Sequence, residues 1–309
     1  MRPFDAHAHF FSLPFFEALA AQSPLPGEPG EKLEQLAART GIELPDPDPL
    51  AHARRWVESL DAAGVEGMAA FASLPEEIQA VEQAVRSQPD RFVGVALVNP
   101  CAPGAAERAS ALLAGGAYRG VLLFPAMHHF RLDGPEARAL YEAIEPHGGV
   151  VYAHCGLLVV KLRDLLGLPR PYDLSFANPL DLVPAANSHP GVSFVVPHFG
   201  AGFFRETLMA GAQCENVLVD TSSTHSWTST QPDAPDLPEV FARALSVFGP
   251  RRVLFGTDSN VFPAGWRTER LDAQRAILSG LNLAPEDLES ILGGNARRLL
   301  RVTEGAAST

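Results

Sequence analysis

The sequence predicts an α/β fold of one domain: a single (β/α)8 TIM barrel with long strand-to-helix loops, running over residues 1–309. Three observations carry this. Eight short apolar runs recur along the chain, at 4–9, 65–71, 92–98, 120–124, 150–154, 192–197, 217–220 and 253–256. Longer stretches of amphipathic, helical period separate them. The runs are apolar on both faces, as parallel strands must be when helices cover them through right-handed crossovers. Eight such units in ~250 residues fit a closed barrel better than an open doubly wound sheet. No Gly-x-Gly-x-x-Gly follows the first run, which removes the usual dinucleotide-binding sheet.

The helical patterns lie at 50–63, 76–87, 105–114, 135–147, 179–188, 203–214 and 237–248, and two more at 268–279 and 285–300 close the chain. Three connections break the alternation. Residues 23–49 are rich in Pro, Gly and acidic side chains, 157–177 mix apolar residues with Lys161, Arg163 and Arg170, and 221–236 are rich in Ser and Thr. All three follow strands, on the side of a barrel where active sites are built, so they are expected to act as lids or specificity loops.

Composition narrows the function. The net charge of −12 opposes a nucleic-acid groove, which needs a basic surface. A small-molecule substrate, including an anionic one, remains open, because a few arginines dominate a pocket whatever the global charge. No run approaches the ~18 apolar residues of a membrane span. Cys101, Cys155 and Cys214 form no Cys-x-x-Cys pair, and the start of the chain lacks a secretory pattern. Reduced thiols and a cytoplasmic location are therefore expected. A homodimer is left open.

Polar residues cluster at the ends of the apolar runs. Strand side chains alternate, so His7 and His9 share one face of the first run, and paired imidazoles are half of a divalent-metal site. The fifth run ends in His154, the sixth in Pro-His198-Phe-Gly and the eighth in Gly-Thr-Asp258. In a closed parallel barrel these ends converge on one rim. Three imidazoles and a carboxylate then suffice for a catalytic metal that keeps a position open for water. Such an ion lowers the pKa of its water toward ~7. Asp258 could take the released proton, and His198 could orient the attacking oxygen or polarise a carbonyl. Asp5, in phase with His7 and one layer deeper, could fix a ligand tautomer.

These pieces resemble the amidohydrolase superfamily over nearly the whole chain. The narrower likeness is to the amidohydrolase-2 branch, which includes aminocarboxymuconate-semialdehyde decarboxylase and related decarboxylases and hydrolases. The matching segments are Asp5-Ala-His-Ala-His9, Tyr-Ala-His154-Cys-Gly, Pro-His198-Phe-Gly-Ala-Gly and Leu-Phe-Gly-Thr-Asp258. Asn216-Val-Leu-Val-Asp-Thr-Ser222 and Gly294-Asn-Ala-Arg-Arg-Leu-Leu300 match further. Relatives with two metals carry a bridging lysine or glutamate on the fourth strand, where this chain has Leu122. The resemblance thus implies one divalent ion, expected to be zinc, held by His7, His9, His154 and Asp258, with His198 and Asp258 catalytic.

Substrate contacts are expected from Arg205, which begins the helix after His198 and could pair with a carboxylate, from His225 and Trp227 at the mouth, and from Trp266 as an apolar wall. Cys155 reads as a small buried hydrophobe rather than a nucleophile. The leading expectation is hydrolysis of an ester, lactone or amide bond in a small cyclic or carboxylated compound. The alternative is non-oxidative decarboxylation of an aromatic or muconate-like acid. The scarcity of basic residues on the rim tilts the sequence reading to hydrolysis.

Overall fold

Each of the eight apolar runs forms a strand, and each strand pairs in parallel with the next in a computed structural model that describes residues 2–302 apart from Thr224 and Asp233. The strands are β1 (Phe4–His9), β2 (Gly67–Ala72), β3 (Phe92–Leu97), β4 (Tyr118–Leu123), β5 (Val150–Ala153), β6 (Ser193–Val196), β7 (Val217–Asp220) and β8 (Val253–Leu254). Helices fill the intervals, as a parallel ladder requires. The ring closes where the chain beyond β8 runs beside β1. The Ala6 N–H donates to the Phe255 carbonyl at 2.9 Å, Asp258 N–H to His7 at 2.8 Å and His9 N–H to Ser259 at 2.8 Å. This is a TIM barrel.

Strand β8 is shorter than the apolar run suggests. The cause lies at Gly256, where a Cβ would stand 3.0 Å from both the His7 and the Ser222 Cβ atoms. Only glycine lets β1 and β7 draw this close to the end of β8. The closing segment differs too. The expected helix at 285–300 is two helices, Pro285–Glu289 and Asn295–Leu300, joined by the wider five-residue turn Ser290–Gly294. A Cβ on Gly293 would meet the Phe4 nitrogen at 2.8 Å, and the Ile291 carbonyl accepts the Phe255 N–H, so this turn plugs the floor beneath β1 and β8.

The middle of 23–49, expected as an irregular lid, is helical. Helix Pro29–Thr40 follows helix Leu13–Gln22. Its signals are local: Pro29 at the first position, a Glu28/Glu31 capping box and Gly41 in the left-handed conformation at the end. Phe15, Phe16, Leu19, Leu33 and Leu36 of these helices pack with Leu162, Leu166 and Leu168 of the loop after β5. The Ser23 hydroxyl also donates to the Leu166 carbonyl. Two of the irregular connections thus form one cap over the barrel mouth. Leu158 and Tyr172 of the β5 loop reach the cluster that includes Phe71, Leu122, Phe124 and Tyr152. Among the described residues no helix is long and apolar enough to cross a membrane.

Candidate metal centre

The strand ends deliver His7, His9, His154, His198 and Asp258 to one rim. His7 is 1% exposed, stacked on Phe71 at 4.4 Å between ring centroids, and its ring lies 4.9 Å from that of His198. His154 stands 5.1 Å from His198. Nε2 of His9 and of His7 lie 3.3 and 3.9 Å from the same Asp258 oxygen. His7, His9 and Asp258 offer ligand atoms that all fall within 4.8 Å of one another. His198 and Asp258 hold positive φ, 58° and 57°, a conformation that costs a side-chain-bearing residue ~1–3 kcal/mol and concentrates at functional sites.

Asp220, the last residue of β7 and absent from the expected site set, organises the histidines. Its Oδ2 accepts from His7 Nδ1 at 2.8 Å. Its Oδ1 accepts from the His198 and Ser222 N–H groups, each at 3.0 Å, and from the Ser222 hydroxyl. The proton inventory follows. With its only hydrogen given to Asp220, Ser222 Oγ must accept from His198 Nδ1, 2.8 Å away. His7 and His198 therefore both carry the proton on Nδ1, leaving each Nε2 bare. Asp220 is spent on these bonds, whereas Asp258 faces imidazole edges. The tautomer-fixing role expected of Asp5 thus falls to Asp220. Asp5 instead accepts from the His7 N–H, the Thr257 N–H and Trp266 Nε1.

Three of the four expected donors, His7, His9 and Asp258, form a group that fits a divalent ion, and His154 stands outside it. His154 Nδ1 is buried without a hydrogen-bond partner, as are those of His52, His128 and His225, and it is the one of these on the rim, free to coordinate an ion. Burial, reinforced by His198 and His7, pushes this imidazole down to about 3, so it is neutral as a ligand must be. Burial alone would raise Asp258, but the bond to His9 and the neighbouring His198 hold it well below the usual carboxylate range. Leu122, 1% exposed, offers no ligand where a second ion would need one.

The substrate-side expectations fare differently. Trp266 is 3% exposed and its indole N–H donates to Asp5, so its polar edge is committed to the barrel interior. His225 and Trp227 are buried, His225 against Phe199 and Trp227 against Phe204. Arg205 is exposed and makes no hydrogen bond or ion pair among the described residues. Arg170 pairs with Asp164 on the surface. Burial raises the Cys155 thiol far above its ordinary value, in keeping with an inert side chain. The cation that does come near is Arg270, from helix Thr268–Gly280. It is half-buried, donates to the Thr257 carbonyl and lies within electrostatic reach of Asp258.

Buried imidazoles give the metal-free protein a defined acid response. Burial lowers His9, His52, His128, His154, His198 and His225, with His128 and His225 at about 4. Below pH ~6.5 the unfolded chain binds protons that these six groups refuse in the fold, so stability drops with pH. Four groups run the other way: burial raises Asp5 to about 6, Glu77 to about 7 and Asp181 above its ordinary value, while Asp220 overcomes the burial that would lower His7. Six outweigh four. The urea midpoint in the presence of a chelator is expected to fall steadily from pH 7 to pH 5, and a flat or rising midpoint would contradict this.

A family model described as "Amidohydrolase" (Amidohydro_2) matches residues 4–302. The chain belongs to the amidohydrolase family. No curated protein matches it. Among solved structures, this amidohydrolase resembles 5-carboxyvanillate decarboxylase from Sphingomonas paucimobilis, with a TM-score of 0.65 and 16% identity over 98% of this chain and 99% of the other. It also resembles 2,6-dihydroxybenzoate decarboxylase from Rhizobium, with a TM-score of 0.63 and 18% identity over 97% and 99%. A third is a probable 2-pyrone-4,6-dicarboxylic acid hydrolase from Acinetobacter baumannii, with a TM-score of 0.61 and 16% identity over 97% and 100%. At such identities the likeness establishes the barrel, and the reaction has to be argued from the site.

Proposed function

We propose that this amidohydrolase is a metal-dependent, non-oxidative decarboxylase of a small aromatic or muconate-like acid. The observation that carries the reading is Arg270. Hydrolysis is the leading expectation from the sequence because basic residues look scarce on the rim, and a half-buried guanidinium bonded to the Thr257 carbonyl and within electrostatic reach of Asp258 weakens that reason. An arginine there can hold an anionic acid through charge-assisted bonds. Two of the three structural relatives named above are decarboxylases of aromatic acids, which is in keeping with the reading.

A divalent ion, zinc by the ligand set, held by His7, His9, His154 and Asp258 would supply Lewis-acid polarisation of the acid's oxygen atoms. The chain's own residues do the rest. His198, with Nε2 bare and its ring locked through Ser222, carries the proton. It takes up one proton at Nε2 and passes it to the carbon that loses its carboxylate. The carbon–carbon bond breaks, carbon dioxide leaves and a carbon–hydrogen bond replaces it. Asp258, held well below the ordinary carboxylate range, is a weak base and acts as a ligand. Phe71 packs against the His7 ring and Phe124 against His154, an apolar surround that keeps water from the imidazoles.

The test is a screen of aromatic and muconate-like acids against esters, lactones and amides, with released carbon dioxide measured directly. Carbon dioxide at a catalytically competent rate is expected. Turnover of an ester, lactone or amide without carbon dioxide would overturn the decarboxylase reading in favour of hydrolysis.

A further inference from the structure

Glu77 lies outside the ligand set and the reaction scheme, yet it is fully buried at the exits of β1 and β2. Its Oε1 accepts from the Ser12 N–H at 2.7 Å and the Ser12 hydroxyl at 3.1 Å, and its Oε2 accepts from the Ser73 N–H at 2.7 Å. Ser12 follows the end of β1 by three residues and Ser73 follows β2 directly. The last backbone bond between the two strands is Phe10 N–H to the Phe71 carbonyl, so past that point the carboxylate joins what the ladder no longer holds. The clamped Ser73 turns its hydroxyl to His9, with Oγ 2.6 Å from Nδ1.

The chemistry of that contact is directional. Nε2 of His9 faces Asp258 and can serve as a metal ligand only if the ring proton sits on Nδ1. In that ligating tautomer Ser73 Oγ, 2.6 Å away, accepts the Nδ1 proton. His7 has Asp220 for the same task, so the two imidazoles of the paired motif are oriented by separate devices, one a direct carboxylate and one a carboxylate acting through a serine. An amide at position 77 would place an NH2 group against N–H and O–H donors, and the clamp would lose an acceptor.

We propose that Glu77 is a positioning residue for the metal site, holding Ser73 so that its hydroxyl fixes the tautomer and the ring orientation of His9. The proposal rests on the reading of His9 as a metal ligand. Partners of this kind are worth about 10–100-fold in metal affinity.

The experiment is zinc affinity of the full-length protein by competition with a chromophoric chelator, with ring 15N shifts of His9 recorded on the metal-free protein. Glu77→Gln and Ser73→Ala are each expected to weaken zinc binding by about 10–100-fold. The double variant should bind no worse than the weaker single one, and Ser73→Thr, which keeps the hydroxyl, should recover most of the loss. The His9 shifts should move from one tautomer toward a mixture in both single variants. A Glu77→Gln protein that loses thermal stability yet keeps wild-type zinc affinity and His9 shifts would overturn the proposal, leaving Glu77 a structural clamp. Should Glu77→Gln fail to fold, Glu77→Asp, one methylene shorter, must weaken zinc binding, and an unchanged affinity overturns it equally. Wild-type protein that binds no equivalent of zinc at all would instead defeat the metal reading beneath it, and the two failures are separate.

Discussion

His154→Ala is expected to cost the protein both its metal and its activity, whereas His198→Ala keeps the metal and loses about 10²–10⁴-fold in rate, the usual contribution of a proton-transferring group. The two rings are neighbours, 5.1 Å apart, and both buried, so the contrast does not follow from location. It follows from hydrogen bonding. His198 Nδ1 is committed to Ser222, which fixes its tautomer and leaves Nε2 free for a substrate. His154 Nδ1 has no partner and waits for a ligand. Metal content by elemental analysis, read beside activity, decides the matter. A metal-free His198→Ala protein would make His198 a ligand, and a fully loaded His154→Ala protein would remove His154 from the set.

The second large effect is expected from Asp220→Asn. The asparagine keeps the shape but replaces one oxygen by an NH2 group, which cannot accept from His7 Nδ1 or from the Ser222 and His198 donors, whichever way the amide turns. A buried donor left unpaired costs ~1–3 kcal/mol, so stability should fall by that order. The tautomers of His7 and His198 lose their common reference at once, so metal affinity should drop by about 10–100-fold and the rate should drop further in fully loaded protein. Urea midpoints, zinc competition and turnover of the loaded enzyme separate these effects. Wild-type affinity and rate in a merely less stable Asp220→Asn protein would show that the carboxylate serves the fold alone.

Much of this was readable in the sequence, for identifiable reasons. Apolar runs on both faces announce parallel strands, and a polar residue ending such a run announces the rim, which is how His7, His9, His154, His198 and Asp258 stood out. Asp220 obeys the same rule, closing the run Val217-Leu-Val-Asp220, and a uniform application would have found it. Helix Pro29–Thr40 was hidden by composition, since the prolines and glycines that suggested a loop are its terminal signals. The burial of Trp266, His225 and Trp227 was not legible, because nothing local tells how a loop packs back on the barrel. Arg270 lies within a helix the sequence predicts, but which of its faces packs on the barrel depends on how Gln274, one turn later, bonds to Thr221 and Gly256. Glu77 carries no signal at all beyond being an acid near a strand end.

The join between the first and last strands is the thinnest part of the ring, with β8 reduced to Val253–Leu254 and closure left to three backbone bonds beyond it. The proposed ligands straddle this join, His7 and His9 on one side and Asp258 on the other. An ion bound there would be a cross-link spanning nearly the whole chain, fastening the barrel where its own ladder is weakest. Its binding energy would then be shared between chemistry and closure. Loss of the ion would not only silence the site but loosen the hoop that holds the staves, and the enzyme's durability would track the metal supply of its surroundings.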